Sequence, residues 1–428
     1  MLHIVFHRKT EDNIMEFEGL VKMECLTEKE LLLKGQAPGK GKLIRELTSG
    51  ADFFADFLAQ RYLQEYIREG GSKIKFITGK PGSGKSHFLQ LFSSMAEEQN
   101  YKTVDFSAND IWLHDFKEIY VEILQQCNIM DCLKGCAAEL IRRMGYDQNE
   151  IPDGMTFMDY LSSQDMGDAI TRREIRLQLK EMFLENPLMD NNFALACSLL
   201  TGGILGHPLL ESQNQELLLA WMQGDRTVKL ALVRALGLSP SRITRYNARH
   251  MLRSLSQVIH ISGYAGMVIS IDNLEILLNR SSLSPLHYTK MRREDTYESI
   301  RQLIDDIDSL QNIMFLFAFD RELFDNDNAG IKSYQALWMR IQNEIVGERF
   351  NCFGDVADLD RLASEVYTPD RLISMSQKLV DAASSMGLFG TILSLEEAKD
   401  ILENAPFGGI GIPRMVNEKT LSGGESHV

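Results

Sequence analysis

The sequence predicts an α/β fold with a mostly parallel sheet, and three observations support this prediction. First, the β-rich stretch KIKFIT at residues 73–78 leads into a glycine-rich loop, a helix-like stretch and a second strand, YKTVDFSAN, at 101–109. This strand–loop–helix–strand order is that of the parallel β-α-β unit. Second, GMVISID at 266–272 is apolar almost to its end, and third, NIMFLFAF at 312–319 is apolar almost throughout. Continuous apolar runs of this length are typical of strands that helices bury on both faces.

The first 46 residues are predicted to be an N-terminal extension and linker. Strands are expected near Ile4–His7 and Phe17–Cys25, and the stretch GQAPGKGK at 35–42 is rich in Gly and Pro. Such a composition is typical of a connection between two structural units.

Two further regions follow the extension. Residues 47–360 are predicted to form the α/β core, with a large helical insertion at about 111–260. Within the insertion, the glycine-rich stretch LLTGGILGHP predicts a break between helices. Residues 361–428 return to helical periodicity and are predicted to form a small C-terminal helical lid.

The composition is that of a soluble globular protein. Of the 428 residues, 44% are hydrophobic and 25% are charged, and the length predicts two or three domains. The formal net charge of -15 argues against broad, unassisted binding to nucleic acid or anionic membrane, because such binding requires clustered Lys and Arg. A local basic patch in an assembled ring is still compatible with this charge. Arg249 and Arg253 form a basic i, i+4 pair with His250 between them, and we expect this helix face to lie in solvent.

We expect a cytoplasmic protein that does not cross a membrane. The apolar run IMFLFAF is far shorter than the ~20 residues that span a bilayer. The cysteines do not form the dense framework of a small secreted domain, which favours reduced thiols. Cys127, Cys132 and Cys136 are close enough in sequence to raise the question of zinc. They contain no CxxC pair and have no nearby fourth ligand, so buried thiols are the favoured interpretation.

The motif that carries chemistry is GKPGSGKS, at Gly79–Ser86, which fits G-x-x-x-x-G-K-[ST] between a predicted strand and a predicted helix. The glycines let the backbone turn tightly and approach phosphate groups. Backbone N–H groups and the N-terminus of the following helix then attract anions. Lys85 is predicted to neutralise the β- and γ-phosphates, and Ser86 to bind Mg²⁺. The predicted cofactors are ATP and Mg²⁺, and the predicted ATP-binding residues are Gly79, Lys80, Pro81, Gly82, Ser83, Gly84, Lys85, Ser86 and His87.

Asp272 is predicted to be a second residue that holds the Mg²⁺ ion, beside Ser86. Asp272 ends a buried strand about 190 residues after the loop, where an acid can hold a water in the Mg²⁺ shell. The next residue, Asn273, stands where P-loop ATPases usually place a glutamate that activates water. An amide cannot serve as a general base, although it can orient a water molecule. Glu275 lies two residues further along, and the sequence leaves open whether Glu275 or an outside carboxylate serves, or whether turnover is low.

Several later arginines are candidates for contact with the nucleotide. Asp320 and Arg321 follow the fourth predicted strand, where many such ATPases sense the γ-phosphate. Arg340 and Arg349 lie on and after the helix SYQALWMRIQNEIVGER, from which an arginine finger can reach a neighbouring subunit's nucleotide. Arg414, in GIPRMVNE, stands at the start of a helix of the predicted lid, with a spacing that suits an arginine closing onto the nucleotide. For Arg340 and Arg349, a solvated or salt-bridged arginine is an equally good interpretation.

With these motifs in view, the chain resembles the ATP-binding proteins of BREX-type bacterial anti-phage defence systems, a divergent AAA+-like group of P-loop NTPases. The resemblance is carried by NARHMLRSLSQVIHISGYAGMVISIDNLEIL, YTKMRREDTYESIRQLIDDID and GIKSYQALWMRI, and it extends from about Leu47 to Asn417. It implies that Gly79–Ser86 is the Walker A motif, Asp272 the Walker B acid and Arg414 a sensor in the lid. The family pattern has D-E-L-E where this chain has D-N-L-E, and this departure concerns hydrolysis rather than binding.

Two functions of different classes follow. The first is an AAA+-like ATPase that acts as a motor or remodelling subunit of an anti-phage defence complex acting on DNA. The second is a low-turnover, nucleotide-gated switch that assembles a helicase or nuclease partner. A signal-transducing regulator is a weaker third option, because it would normally carry an appended domain. The expected partners are further copies of the chain, other defence-system proteins, or both, and contact with DNA is expected to be indirect or to occur within an assembly.

Overall fold

Five strands form one all-parallel sheet in the computed structural model, which describes residues 26–279, 281, 286–345 and 349–422. The strands are β1 (Ser72–Gly79), β2 (Tyr101–Ser107), β3 (Gly266–Asp272), β4 (Ile313–Asp320) and β5 (Val356–Asp358), and their order across the sheet is β2-β3-β4-β1-β5. The predicted α/β fold is confirmed, and β5 is an addition to it. The two strands expected before residue 26 lie outside the described residues.

The strand order brings three carboxyl ends together. β4 lies between β1 and β3, and its pairing register places Gly79 opposite Asp320. On the other side of β3, Ser107 lies opposite Asp272. Ligands of open parallel sheets bind at the carboxyl ends of the strands, so this edge is where a site is expected.

Helices cover both faces of the sheet. One face is packed against the N-terminal helices and the first crossover helix through a core that includes Phe54, Phe88 and Leu316. The helices on and near this face are α1 (Glu28–Leu33), α2 (Lys42–Leu47), α3 (Asp52–Leu58, which continues as a π-helical segment, Ala59–Ile67) and α4 (Lys85–Glu98).

The opposite face is packed against a mainly helical region between β2 and β3, and one apolar cluster joins the two. Its helices are α5 (Phe116–Cys127), α6 (Ile129–Arg143), α7 (Phe157–Ser163), α8 (Ala169–Leu179, which continues as a π-helical segment, Lys180–Leu184), α9 (Asn191–Leu205), α10 (Ser212–Met222), α11 (Leu230–Ala235) and α12 (Ala248–Ile261). A short 3₁₀ turn, Gln148–Glu150, lies between α6 and α7.

The predicted break between helices falls only at the end of LLTGGILGHP, because α9 runs through Gly202 and Gly203. The helix ends only at Gly206, which has the left-handed φ of 82°. Inside the helix, Gly202 lets the chain pack closely on itself, since a Cβ there would lie 2.6 Å from Cδ of Pro208. Gly202 therefore serves close packing, whereas Gly206 ends the helix.

The remaining helices follow β3 and close the chain. Between β3 and β5 lie α13 (Lys290–Asp305), α14 (Glu322–Asp325), α15 (Gln335–Ile345) and 3₁₀ turns at Leu274–Leu278, Ile307–Ser309 and Ile331–Ser333. After β5 come α16 (Leu359–Val366), α17 (Pro369–Ser385), α18 (Leu395–Asn404) and α19 (Ile412–Ser422). Of the helices in the described part of the chain, none combines the length and the apolar composition needed to cross a bilayer.

The described part of the N-terminal segment packs against the C-terminal helices. Leu32 of α1 and Leu47 of α2 share an apolar cluster with Leu372 and Leu379 of α17 and Val416 of α19. Residues 27–47 are thus placed beside the C-terminal helices by their own apolar side chains, although the sequence led us to expect a connection there.

Candidate nucleotide site

The loop Gly79–Ser86, called the P-loop below, has the backbone that its glycines predict. Gly82 and Gly84 adopt φ values of 77° and 94°, which side chains other than glycine rarely tolerate. At Gly79 a side chain is excluded by lack of space, because an added Cβ would lie 2.4 Å from Oγ of Ser83. That Ser83 hydroxyl is buried and has no hydrogen-bond partner in the described part of the chain. The loop is thus a tight cradle that leads directly into the N-terminus of α4.

A cavity of about 600 Å³ adjoins the P-loop. Its polar wall is formed by residues 82–87, Asn273 and Arg414, whereas another wall is apolar and comes from the N-terminal segment and the C-terminal helices: Leu31, Leu32, Pro38, Leu47, Leu379 and Tyr367. A volume of this size is ordinary for a small-ligand site. Anion-binding backbone on one side and apolar surface on the other fit the phosphates and the base of a nucleotide.

Lys85 is buried and held by three oxygen atoms. Its Nζ lies 2.7 Å from Oδ1 of Asp320 and donates to the carbonyl oxygens of Lys80 at 2.9 Å and Gly79 at 3.3 Å. Only 8% of the residue is exposed. The cation is therefore fixed at the carboxyl ends of β1 and β4.

The two predicted Mg²⁺ ligands contact each other. The Ser86 hydroxyl donates a hydrogen bond to the carboxylate of Asp272, whose Oδ1 also accepts the backbone N–H of Asn273 at 2.9 Å. Burial raises the pKa of Asp272, and the nearby charge of Lys85 works in the opposite direction. A hydroxyl beside a carboxylate is an oxygen donor set that suits Mg²⁺. The residues present therefore fit this metal.

Asn273 faces the neighbouring strand. It adopts a left-handed conformation with φ 61° and ψ 39°, which asparagine tolerates better than most residues. Its Nδ2 donates to Oγ of Ser107 at 2.8 Å, at the carboxyl end of β2. The amide is thus tied to β2, while Asn273 still lines the cavity.

Glu275 belongs to the same group of side chains as Lys85 and Asp320. Its Oε2 accepts the backbone N–H of Asp320 at 3.1 Å. Burial raises the pKa of Glu275, the carboxylate of Asp320 raises it further, and the charge of Lys85 lowers it. The turn Leu274–Leu278 carries this side chain back toward the end of β4. Sequence alone left its direction open because the strand ends at Asp272.

Two acidic residues of this edge were not found from the sequence. Asp360 accepts the backbone N–H of Lys80 through Oδ2 at 2.7 Å, and burial raises the pKa of its carboxyl group. Asp358, which ends β5, accepts from Arg321 at 2.9 Å. The available signal was the pattern VADLD, but a strand of three residues is too short for its periodicity to stand out.

The C-terminal helix α19 lies against the P-loop. Gly411 N–H donates to the carbonyl of Pro81 at 2.9 Å, and Arg414 N–H donates to that of Gly82 at 3.2 Å. The guanidinium of Arg414 is partly exposed and donates from Nε to Glu418 at 2.8 Å. Arg414 therefore lines the cavity, and its charge is paired along its own helix.

His87 links the P-loop helix to the C-terminal helices. Its Nε2 lies 2.8 Å from Oγ1 of Thr48, and the carbonyl of Thr48 accepts Lys378 Nζ of α17 at 2.6 Å. Burial, together with the charge of Lys378, lowers the pKa of His87 to about 4. The ring is therefore neutral at physiological pH.

The proposed finger arginines are not part of this group. Arg340 donates from Nε and Nη2 to both carboxylate oxygens of Asp305, each at 3.0 Å. Arg349 is exposed. Among the contacts of the described residues, none joins Arg340 or Arg349 to residues 79–87.

Two other groups singled out from the sequence lie elsewhere. Cys127, Cys132 and Cys136 are buried on α5 and α6 of the helical insertion, and burial raises the pKa of each thiol. The expectation that Arg249 lies in solvent is wrong. It is half-buried, its guanidinium lies 4.7 Å from the centroid of the Phe116 ring, and it donates to Gln302 at 2.8 Å.

A family model described as BREX system ATP-binding protein BrxC/D matches residues 30–386. The chain belongs to this family. No curated protein and no solved structure matches the chain. The match begins upstream of Leu47, so it includes residues of the N-terminal segment to which the resemblance seen in the sequence did not extend. In this BREX system ATP-binding protein the P-loop, Asp272, Asn273 and Glu275 lie within the matched residues, whereas Arg414 lies beyond them.

Proposed function

We propose that this BREX system ATP-binding protein hydrolyses ATP and uses the energy as an AAA+-like motor or remodelling subunit of an anti-phage defence complex acting on DNA. The observation that carries the proposal is the position of Glu275. A carboxylate with a raised pKa, in the same group as the P-loop lysine, is the kind of base that hydrolysis requires. Glu275 can accept a proton from water, whereas the amide of Asn273 cannot.

In the binding step, backbone N–H groups of the P-loop and the N-terminus of α4 hold the phosphates of ATP. Lys85 approaches the β- and γ-phosphates, and its ion pair with Asp320 is the contact that phosphate must compete with. The apolar wall of the cavity packs against the base. Arg414 adds positive charge from the lid once its guanidinium leaves Glu418.

Mg²⁺ would be held by the hydroxyl of Ser86 and, through a water molecule, by the carboxylate of Asp272. When bound, this ion neutralises charge that develops on the phosphates. The hydrogen bond between Ser86 and Asp272 supports this assignment, because it keeps both oxygen donors in one place. Burial disfavours the charged carboxylate of Asp272, and a bound cation would offset this cost.

In the chemical step, the oxygen of the attacking water bonds to the γ-phosphorus. At the same time Glu275 accepts a proton from that water. The bond between that phosphorus and the bridging oxygen breaks, and ADP and inorganic phosphate result. The N–H of Asp320 keeps the Glu275 carboxylate in position. Asn273, whose amide is held by Ser107, orients a water molecule and does not take the proton.

Assembly into a homo-oligomer would complete the site. Other defence-system proteins could belong to the same assembly or bind separately. In that arrangement Arg340 or Arg349 of a neighbouring copy acts as a finger. Exposure supports Arg349, whereas Arg340 would first have to leave Asp305. A finger of this kind raises turnover by roughly 10³–10⁵-fold in other P-loop enzymes.

The alternative is a low-turnover switch that assembles a helicase or nuclease partner in its ATP state. One observation favours it, namely that Asn273 replaces the usual glutamate and is held by Ser107. A switch would bind ATP tightly and release little phosphate.

Phosphate release from the purified chain with ATP and Mg²⁺, with and without duplex DNA, separates the two functions. Turnover that Lys85→Ala abolishes supports the ATPase. Tight ATP binding with negligible turnover, followed by a gain of turnover in Asn273→Glu, supports the switch instead. Lys73→Ala is the matched control, because Lys73 lies on the same strand but pairs with Asp355 away from the P-loop.

A further inference from the structure

A stretch without acidic residues begins in the helical insertion and runs into β3. Residues 226–271 contain no Asp or Glu, although the whole chain has a net charge of -15. The same stretch carries the basic residues Arg226, Lys229, Arg234, Arg242, Arg245, Arg249 and Arg253. Positive charge that is concentrated in one segment is the sequence feature that a polyanion-binding surface requires.

Part of this stretch lines a cavity of about 370 Å³ on the insertion. Four basic side chains surround it, Lys117, Arg226, Arg242 and Arg245, together with Asp115 and Asp225. Arg242 donates from Nη1 to the carbonyl of Arg226 at 2.8 Å, which joins these two residues at the rim. A concave basic site differs from an ordinary solvated basic face, because several cations can contact one anion there.

The two carboxylates of the cavity are engaged with backbone. Asp115 caps α5 by accepting the N–H of Lys117 at 3.0 Å. Asp225 accepts the N–H of Thr227 at 2.7 Å. Arg226 and Arg242 are exposed. Arg245 pairs with Asp295 at 3.6 Å, so a bound phosphate has to compete with that carboxylate.

An exposed aromatic ring adjoins the cavity. Tyr246 is 78% exposed, and the guanidinium carbon of Arg245 lies 5.1 Å from its ring centroid. The hydroxyl of Tyr246 accepts a hydrogen bond from Arg245 at 3.1 Å. A large exposed ring that is stacked on an arginine matches the platforms on which unpaired bases stack.

A second stacked pair lies on the same side of the molecule. The guanidinium carbon of Arg292 is 4.3 Å from the centroid of Trp112. The charges of Arg292 and Arg245 act on His114, as do the opposite charges of Asp115 and Asp295, so the two arginines lie near one another and near these carboxylates. Arg245 is also 3.6 Å from Asp295, one turn of α13 after Arg292. The basic and aromatic residues therefore extend from the insertion to the end of β2.

We propose that this surface binds a segment of single-stranded nucleic acid, with Arg226, Arg242 and Arg245 contacting the phosphates and Tyr246 stacking on a base. In this arrangement the chain contacts nucleic acid itself, whereas the sequence led us to expect indirect contact. Single-stranded rather than double-stranded nucleic acid is favoured because the bases of a duplex are not free to stack on Tyr246. The proposal is independent of ATP hydrolysis, since the surface lies outside the P-loop cavity.

The test is fluorescence anisotropy of a labelled 20-nucleotide single strand with the full chain over a range of salt concentrations. We expect the triple variant Arg226→Ala, Arg242→Ala, Arg245→Ala to lower the salt slope of log affinity by about 2, since each phosphate contact contributes about 0.7 for single strands. At 0.1 M salt this corresponds to about a 100-fold loss of affinity. Tyr246→Ala should lower the affinity for the single strand by about fivefold or more, and Tyr246→Phe should retain most of that affinity.

The matched control is the triple variant Arg172→Ala, Arg173→Ala, Arg176→Ala, which removes the same charge from three exposed positions of α8. An unchanged salt slope in this control, together with the loss in the first variant, supports the proposal. Equal losses in both variants would mean general electrostatic attraction and would contradict it.

Two further arms identify the ligand. A duplex of the same sequence should bind more weakly than the single strand and should be insensitive to Tyr246→Ala. Failure of the wild-type chain to bind the single strand at low salt would overturn the proposal. So would binding of a poly-glutamate peptide without binding of the oligonucleotide, since that result would assign the surface to an acidic protein segment.

Discussion

Lys85 and Asp320 form an ion pair in which Nζ and Oδ1 lie 2.7 Å apart, across the carboxyl ends of β1 and β4. The pair follows from the strand register, because Gly79 at the start of the P-loop lies opposite Asp320. Asp320 also donates its N–H to Glu275. One residue of β4 thus contacts both Lys85, which is proposed to bind phosphate, and Glu275, the proposed base.

The first prediction concerns ATP affinity. Asp320→Asn removes a negative charge that competes with phosphate for Lys85, so we expect ATP to bind about tenfold more tightly, a change of about 1.4 kcal/mol. Titration with a fluorescent ATP analogue measures this. Asp325→Asn is the matched control, because it removes the same charge from an exposed residue one turn along. Weaker ATP binding in Asp320→Asn would show that the carboxylate aids binding instead of competing with it.

The second prediction concerns stability at acidic pH. The pKa of His87 is lowered from 6.5 to about 4, so the unfolded chain takes up a proton more readily than the folded chain. The stabilising effect of neutral His87 is fully present above pH 6.5 and is lost as the pH falls toward about 4. The loss is at most about 3 kcal/mol. Denaturant unfolding between pH 7 and pH 4 measures it, and His87→Gln should reduce the slope in this window. An equal slope in both proteins would assign the acid sensitivity to other groups.

The third prediction concerns the contact between the lid and the P-loop. A Cβ on Gly411 would lie 2.4 Å from the backbone of Ser83, so Gly411→Ala must push α19 away. We expect the free energy of unfolding to fall by about 1–3 kcal/mol and ATP affinity to fall with it. Gly409→Ala is the control, since nothing lies within 4 Å of a Cβ there. Thermal melting and ATP titration of both variants check the prediction, and similar behaviour of the two would contradict it.

The fourth prediction concerns the arginine finger. If Arg349 acts in a neighbouring subunit, mixing Arg349→Ala chains with wild-type chains should reduce turnover more than dilution alone. Arg340→Ala should act mainly on stability, by about 1 kcal/mol or less, because its guanidinium is occupied by Asp305 at a half-exposed site. Unchanged turnover in the mixtures with Arg349→Ala and also in those with Arg340→Ala would remove the finger from the mechanism.

Local patterns in the sequence predicted much of the fold and half of the site. The P-loop and Asp272 were predictable because each depends on a strand, a turn and the residues between them. The positions of Glu275 and Asp320 were not, because they depend on how β4 pairs with its neighbours. The same holds for Asp360, which contacts Lys80 although it lies 280 residues further along the chain. Gly202 was expected to lie in the break because glycine favours turns, whereas its close packing on Pro208 depends on the tertiary structure.

The central claim is that Glu275, and not Asn273, activates water. The most direct test is the rate of phosphate release from Glu275→Gln beside wild type and Asn273→Ala, with ATP affinity measured in parallel. Glutamine keeps an oxygen that can accept the Asp320 N–H but cannot take a proton, so kcat should fall by about 10²–10⁴-fold while ATP affinity changes little. In wild type the rate should fall as the pH drops through the pKa of Glu275, which burial raises above its ordinary value, and Asp320→Asn should move that fall to lower pH. Turnover that survives in Glu275→Gln and disappears in Asn273→Ala would contradict the account.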